Sequence, residues 1–205
     1  MTEPQKLDDN ELLRRARTGE EVAFLTLYQR HHRALYRFVL QMSGSESLAE
    51  DVIQEVFMLL MGDALRFESS LGSLSAYLYG VTRNQMRRHL ERGRMLVSIE
   101  ENLEEEATLL QPLIAPEDPL GDLTRREALT ALRQAILTLP LHYREVVALC
   151  DLEEMSYSEA AQVLGCAVGT IRSRLHRAHA LLVERLRDAG EKSPAGQRSV
   201  TRCFA

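Results

Sequence analysis

The chain has 205 residues, 45% hydrophobic and 27% charged, which suffices for a buried core and two small domains and excludes disorder throughout. No apolar run reaches the roughly 18 residues of a membrane span, and the opening MTEPQKLDDNELL lacks the basic-then-apolar layout of a secretion signal, so a cytoplasmic chain with no membrane insertion is expected. A net charge of −5 would argue against a nucleic-acid partner if it were evenly spread, but the arginines are concentrated in a few stretches.

Alternating β-branched runs are scarce and apolar residues recur at three- and four-residue spacing, so the fold is expected to be all-α. A short helix is predicted over Asn10 to Arg17, ending before Gly19, and a longer one over Val22 to Met42 carrying Phe24, Leu27, Tyr28, Leu35, Phe38 and Val39. Ser43-Gly44-Ser45 breaks it. Ser47 and Glu50 have capping-box spacing and open a third helix, AEDVIQEVFMLLM, to about Met61. GDALRFESSLGS reads as a loop, and LSAYLYGVTRNQMRRHLERGR as a fourth helix that grows steadily more basic. The first domain is expected to span residues 8–94.

Residues 95–122 read as a flexible acidic linker, with five glutamates between Glu100 and Glu106 and three prolines close together. A second domain is expected over 123–187. It opens with LTRREALTALRQAILTL, stopped at Pro140, and continues with HYREVVALCDLEE. Ser156 and Glu159 again have capping-box spacing, Gly165 ends that helix, and a further helix starts after it. Residues 188–205 form a polar tail. Cys150 and Cys166 read as small core residues, Cys203 as an exposed thiol; the three form no CxxC pair.

Helix, glycine turn, helix is the helix-turn-helix pattern. In its second helix Ile171, Leu175, Ala178, Leu182 and Leu186 fall on one stripe, which must face a core, while Arg172, Ser173, His176 and Arg177 fall on the opposite arc. Guanidinium, hydroxyl and imidazole groups on an outer helix face can read base edges in a major groove. A second cluster, Arg83, Arg87, Arg88, Arg92 and Arg94, follows Tyr77 and Tyr79 and encloses Asn84. Basic groups that track phosphates beside aromatics and amides suit single-stranded DNA. In DVIQEVFM, Val52, Val56 and Leu59 supply a core face and leave Asp51, Gln54, Glu55 and Met58 outward, an acidic face suited to a basic protein partner.

In motif and order, FLTLYQRHHRALYRFVL with AEDVIQEVFMLL, then SAYLYGVTRNQMRRHLERGR, then LPLHYREVVALCDLEEMSYSEAAQVLGCAVGTIRSRLHRAHALL resemble the extracytoplasmic-function (ECF) group of bacterial RNA polymerase sigma factors, within the sigma-70 family. The resemblance implies a sigma2-like helical bundle and a sigma4-like helix-turn-helix domain. It implies that Asp51, Gln54, Glu55 and Met58 meet the β′ clamp helices of core RNA polymerase, which with the β subunit and promoter DNA is the expected partner. Arg83, Asn84, Arg87 and Arg88 would engage the −10 element, with the loop at Phe67 receiving a flipped base. Thr170 would sit at a phosphate while Arg172, Ser173, His176 and Arg177 read the −35 element, and the acidic linker would thread through polymerase channels. An anti-sigma factor is a further expected partner. Tyr77 stands where the family commonly has tryptophan, and Ala167 where proline is frequent.

No GxxxxGK[ST], GxSxG or HExxH occurs, so no enzyme is expected, and His176, His179 and Cys166 lack regular ligand spacing, so no metal or other cofactor is expected either. The alternatives are a helix-turn-helix regulator acting without polymerase, which leaves the first domain unexplained, and a sigma-like decoy for an anti-sigma factor, which would have lost its arginine clusters.

Overall fold

The computed structural model describes residues 7–62, 67–97 and 119–192, and among these it is helical with no strand. The N-terminal helices are α1 (Asp9–Arg17), α2 (Glu21–Ser43), α3 (Glu46–Met61) and α4 (Leu74–Val97). The C-terminal ones are α5 (Pro119–Leu137), α6 (Leu141–Val147), α7 (Tyr157–Leu164) and α8 (Val168–Lys192).

Local chemistry explains most boundaries. The Asp8 carboxylate accepts the Glu11 N–H at 2.8 Å to start α1, and Arg14, Arg15 and Arg17 sit where the helix dipole favours cations. Gly44 ends α2 at φ 75°, a left-handed cap that a side chain would strain. The α3 cap is Ser45, whose hydroxyl accepts the Leu48 N–H, not Ser47; the chain turns at Gly44, so the first serine after the turn is the one still in extended backbone. Ser156 and Glu159 do form the expected capping box, and Gly165 closes α7 in the left-handed region at φ 63°.

Three expected bounds move. α4 runs on to Val97 and α5 starts at Pro119, so both ends of the expected linker are helical; proline is favoured in a first turn because its missing N–H would be orphaned there anyway. α8 continues through Gly190, since one interior glycine costs only about 1 kcal/mol and does not stop a long helix. Residues 98–118, the tail after Lys192 with Cys203, and positions 63–66 lie outside the described residues, as does the Arg94 side chain.

Leu12, Leu27, Leu35, Phe38, Val52, Val56, Leu60, Leu78 and Met86 bury the interior of α1 to α4, with the Phe38 ring edge-on to Tyr79 at 5.4 Å. Leu59 is not part of it; Ile53 and Phe57 are, because α3 is gripped by α2 on one side and α4 on the other. In the C-terminal half Ile136, Leu139, Val146, Leu149, Leu164 and the α8 stripe of Ile171, Leu175, Ala178 and Leu182 are buried, with Leu186 partly so. Cys150 and Cys166 are half-buried at its margin rather than inside it, and burial pushes the Cys150 thiol up to about 11.

The two halves touch. α5 and α6 pack on α2, and α7 on α4. At Gly44 a side chain would press into Leu137 at 3.0 Å, so the turn that ends α2 also leaves room for the end of α5. Arg144 from α6 donates to the carbonyls of Met42, Leu137 and Leu139, joining the C-terminal ends of α2 and α5.

Asp9 receives His31 and Arg30, each at 2.8 Å, and the His31 hydrogen bond in particular holds its carboxyl below the usual range against the opposing effect of burial. A depressed folded pKa gives stability that is present above the ordinary carboxylate range and lost as pH falls through the folded value. Asp9→Asn should therefore flatten the acid limb of the stability-against-pH curve below about pH 4, read by urea titration at successive pH values. Ser156→Ala removes the capping acceptor of α7 and should cost about 1 kcal/mol in the same titration at neutral pH.

Candidate nucleic-acid and protein interfaces

Three surfaces gather the residues singled out in the sequence. The first lies on α8. Because Ile171, Leu175 and Ala178 are buried, Arg172, Ser173, His176 and Arg177 are held outward, all exposed, while Thr170 is half-buried. The Ser173 hydroxyl donates to the Thr170 carbonyl at 3.0 Å, and the Arg172 guanidinium lies 5.9 Å from the Tyr157 ring centroid, a cation–π contact that aims it along the helix-turn-helix face. A positively charged, conformationally guided helix face of this kind fits a major groove.

The second surface is a cleft of about 300 Å³ lined by Phe67, Gly72, Ser73, Ala76, Tyr77, Gly80, Val81 and Asn84. Phe67 packs on Tyr77 with centroids 5.3 Å apart, an aromatic wall beside an exposed amide. Gly72 at φ 147° makes the bend that carries the chain from this loop into α4, whose first turn is capped by the Ser73 hydroxyl accepting the Ala76 N–H. Arg88 and Arg92 are exposed and Arg87 half-exposed on the same helix. Stacking rings, an amide and nearby cations can hold an unstacked base and its phosphates.

Two residues expected in that role are placed differently. Tyr79 is buried, and its hydroxyl donates to Glu153 at 2.9 Å. Burial, reinforced by the Glu153 carboxylate, raises the phenol well above its ordinary value, so it stays a neutral donor. Arg83 turns to the C-terminal half, where its Nε and Nη2 donate to the Glu145 carboxylate at 2.5 and 3.3 Å. Its side chain is 15% exposed and that of Glu145 only 2%. The reason is desolvation: a carboxylate this deep demands a cation, and Arg83 is the one that reaches it.

The third surface is on α2 and α3. Asp51, Gln54 and Met58 are exposed, Met58 at 68%, and Glu55 is half-exposed with His89 at 3.0 Å from its carboxylate. Gln54 and Met58 line a groove of about 540 Å³ with Phe24, Tyr28, His32, Tyr36, Phe57 and Met61. Tyr28 and His32 stack at 4.6 Å, nearly parallel. In the sequence Tyr28 is named among the residues of this helix without a surface role, and His32 and Tyr36 are passed over, although rings four residues apart along one helix face were a signal. An acidic rim around an aromatic groove suits a helical partner with basic and apolar residues.

Comparison with known proteins bears on all three surfaces. The family described as Sigma-70 region 2 matches residues 27–95, and that described as Sigma-70, region 4 matches residues 129–182. The RNA polymerase sigma factor NccH of Alcaligenes xylosoxydans xylosoxydans is 30% identical over 92% of this chain and 99% of its own. The ECF RNA polymerase sigma factor SigE of Mycolicibacterium smegmatis is 31% identical over 78% of this chain, which spans 61% of the length of that relative. Among solved structures, the sigma factor RpoE of Bartonella quintana, crystallised with the anti-sigma factor NepR, aligns with TM-score 0.66 and 26% identity over 80% of this chain and 96% of its own. CnrH, in complex with the cytosolic domain of CnrY, aligns with TM-score 0.61 and 26% identity over 88% of this chain and 97% of its own.

Proposed function

This chain belongs to the extracytoplasmic-function group of RNA polymerase sigma factors and directs promoter-specific transcription initiation, and from that premise we propose how its surfaces divide the work. The acidic, aromatic groove of α2 and α3 binds core polymerase at the β′ clamp helices through Asp51, Gln54, Glu55 and Met58. The α4 cleft receives a base flipped from the melted −10 element, with Phe67 and Tyr77 as walls, Asn84 as the polar reader, and Arg87 and Arg88 on phosphates. The outer face of α8 reads the −35 element through Arg172, Ser173, His176 and Arg177. Residues 8–94 and 123–187 are the corresponding domains, and the acidic stretch between them passes through polymerase channels. No covalent chemistry is required. The protein works in the cytoplasm, and an anti-sigma factor restrains it, a reading supported by the neighbour RpoE, whose structure is a complex with the anti-sigma factor NepR.

The observation that carries this reading is the α8 helix itself: an aliphatic stripe buried without exception from Ile171 to Leu182 and four groups capable of base contact held on the opposite side. Flipping a base costs a few kcal/mol of stacking, which is what an aromatic-walled cleft beside exposed cations is suited to return.

The test is multi-round transcription by purified bacterial core polymerase from a promoter library randomised at both elements. Transcripts that need the protein and share two spaced motifs are expected; duplex binding without transcription would replace this reading with that of a self-sufficient regulator. Arg177→Ala should lose roughly 1–3 kcal/mol of discrimination at one −35 position with core binding unchanged. Reversing charge at Asp51 and Glu55 should weaken core association at least tenfold, a loss of about 1.4 kcal/mol, with the thermal melt unaltered; an unchanged affinity would remove the acidic face from the polymerase interface.

A further inference from the structure

We infer that His89 is a positioning residue for polymerase binding: from the DNA-facing helix α4 it holds the Glu55 carboxylate in place at the centre of the acidic α3 face. This rests on the assignment of that face to core polymerase.

The sequence conceals the role. His89 lies in a run of cations, Arg87, Arg88 and Arg92, and reads as one more basic residue of α4. At about 100° per residue, however, Asn84 and Arg88 fall roughly opposite Met86, whereas His89 falls about 60° from it. Met86 is fully buried, as are Leu78 and Thr82 on the same stripe, where α4 packs into the bundle. Asn84 and Arg88 are exposed accordingly, and His89 is turned inward with its side chain 22% exposed. Its Nε2 stands 3.0 Å from Glu55 Oε1. An ionised carboxylate can only accept, so Nε2 carries the hydrogen and donates.

Glu55 occupies the middle of its face. Asp51 precedes it by four residues and Met58 follows it by three, spacings that put all three on one side of α3. Among the described residues, Glu55 is the one member of the set Asp51, Gln54, Glu55 and Met58 that a side chain of another helix holds. The bond takes Oε1, and among the described residues no hydrogen bond reaches Oε2, which is left to accept from a partner. A glutamate on a helix surface has rotamers to lose when it binds, and fixing it beforehand removes that cost from association.

The choice of donor fits the task. A lysine or arginine in this place would cancel charge that the face needs to attract a basic partner. A neutral imidazole offers one N–H and no charge, so it holds the carboxylate and leaves the acidity of the face intact. One residue of α4 thereby serves the protein partner while its neighbours serve DNA.

The experiment uses the full chain and purified core polymerase, with affinity measured by competition against the fluorescently labelled wild-type protein. His89→Ala should weaken core binding about threefold, the share that freeing one long side chain accounts for. His89→Gln, which restores an N–H donor, should recover most of the loss, and His89→Phe, which fills the space without a donor, should not; this pair keeps the test valid if His89→Ala melts early. Glu55→Ala should weaken binding further, and Glu55→Ala with His89→Ala should be no weaker than Glu55→Ala alone, because both remove one shared interaction. At saturating core polymerase, promoter opening by His89→Ala should match the wild type. Unchanged core affinity in His89→Ala and His89→Phe beside a weakened Glu55→Ala would overturn the inference, as would additive losses in the double variant. A defect in opening with core affinity intact would overturn it too, by making His89 a DNA contact. The underlying assignment fails separately: Glu55→Ala without effect on core affinity would remove Glu55 from the polymerase interface and the inference with it.

Discussion

A carboxylate 2% exposed between two helical units sets the terms for much else in this molecule. Glu145 stands in α6 amid the buried Val146, Val147 and Ala148, where a carboxylate without a partner is costly to bury. It is tolerable because Arg83 reaches across from α4 with two donors. That one pairing draws a cation out of the basic cluster of α4 and links it to α6, and Glu153 with Arg37 and Tyr79 makes a second polar link between the two halves.

The same physics separates outward-facing from bracing arginines. Arg172 and Arg177 are outward because an aliphatic stripe beneath them is buried. Arg185, on the same helix, donates to the Ala135 carbonyl and the Thr138 hydroxyl, and Arg17 donates to the Leu60 carbonyl near the end of α3; both act as helix-end braces. Arg144 serves the ends of α2 and α5 alike. A count of basic residues could not distinguish these uses, since a guanidinium serves a carbonyl, a carboxylate or a phosphate with the same fork of donors.

Polymerase specificity subunits must meet a protein and two pieces of DNA, and the charge pattern reflects it: acidic and aromatic on α3 with α2, basic on α4 and α8. Each surface is the outer side of a helix whose inner side is core. Rigid elements positioned by packing, rather than loops, carry the candidate contacts, so their orientation is inherited from the core. The exception is the Phe67 loop, which reaches its place by packing on Tyr77.

Much of this was legible in the residues themselves. The all-helical class followed from three- and four-residue apolar spacing, the helix-turn-helix from a capping box and Gly165, and the outward set on α8 from simple angular periodicity, because these are local properties of a chain at 100° per residue. The α3 cap was misplaced between Ser45 and Ser47, since both serines precede apolar residues and only the path of the chain after Gly44 tells them apart. What periodicity could not contain was the partner of each polar side chain. Arg83 and Tyr79 carry a DNA-binding pattern, yet residues 62 and 74 positions further on claim them, and contacts at that separation are decided only when two helical surfaces meet and water leaves between them.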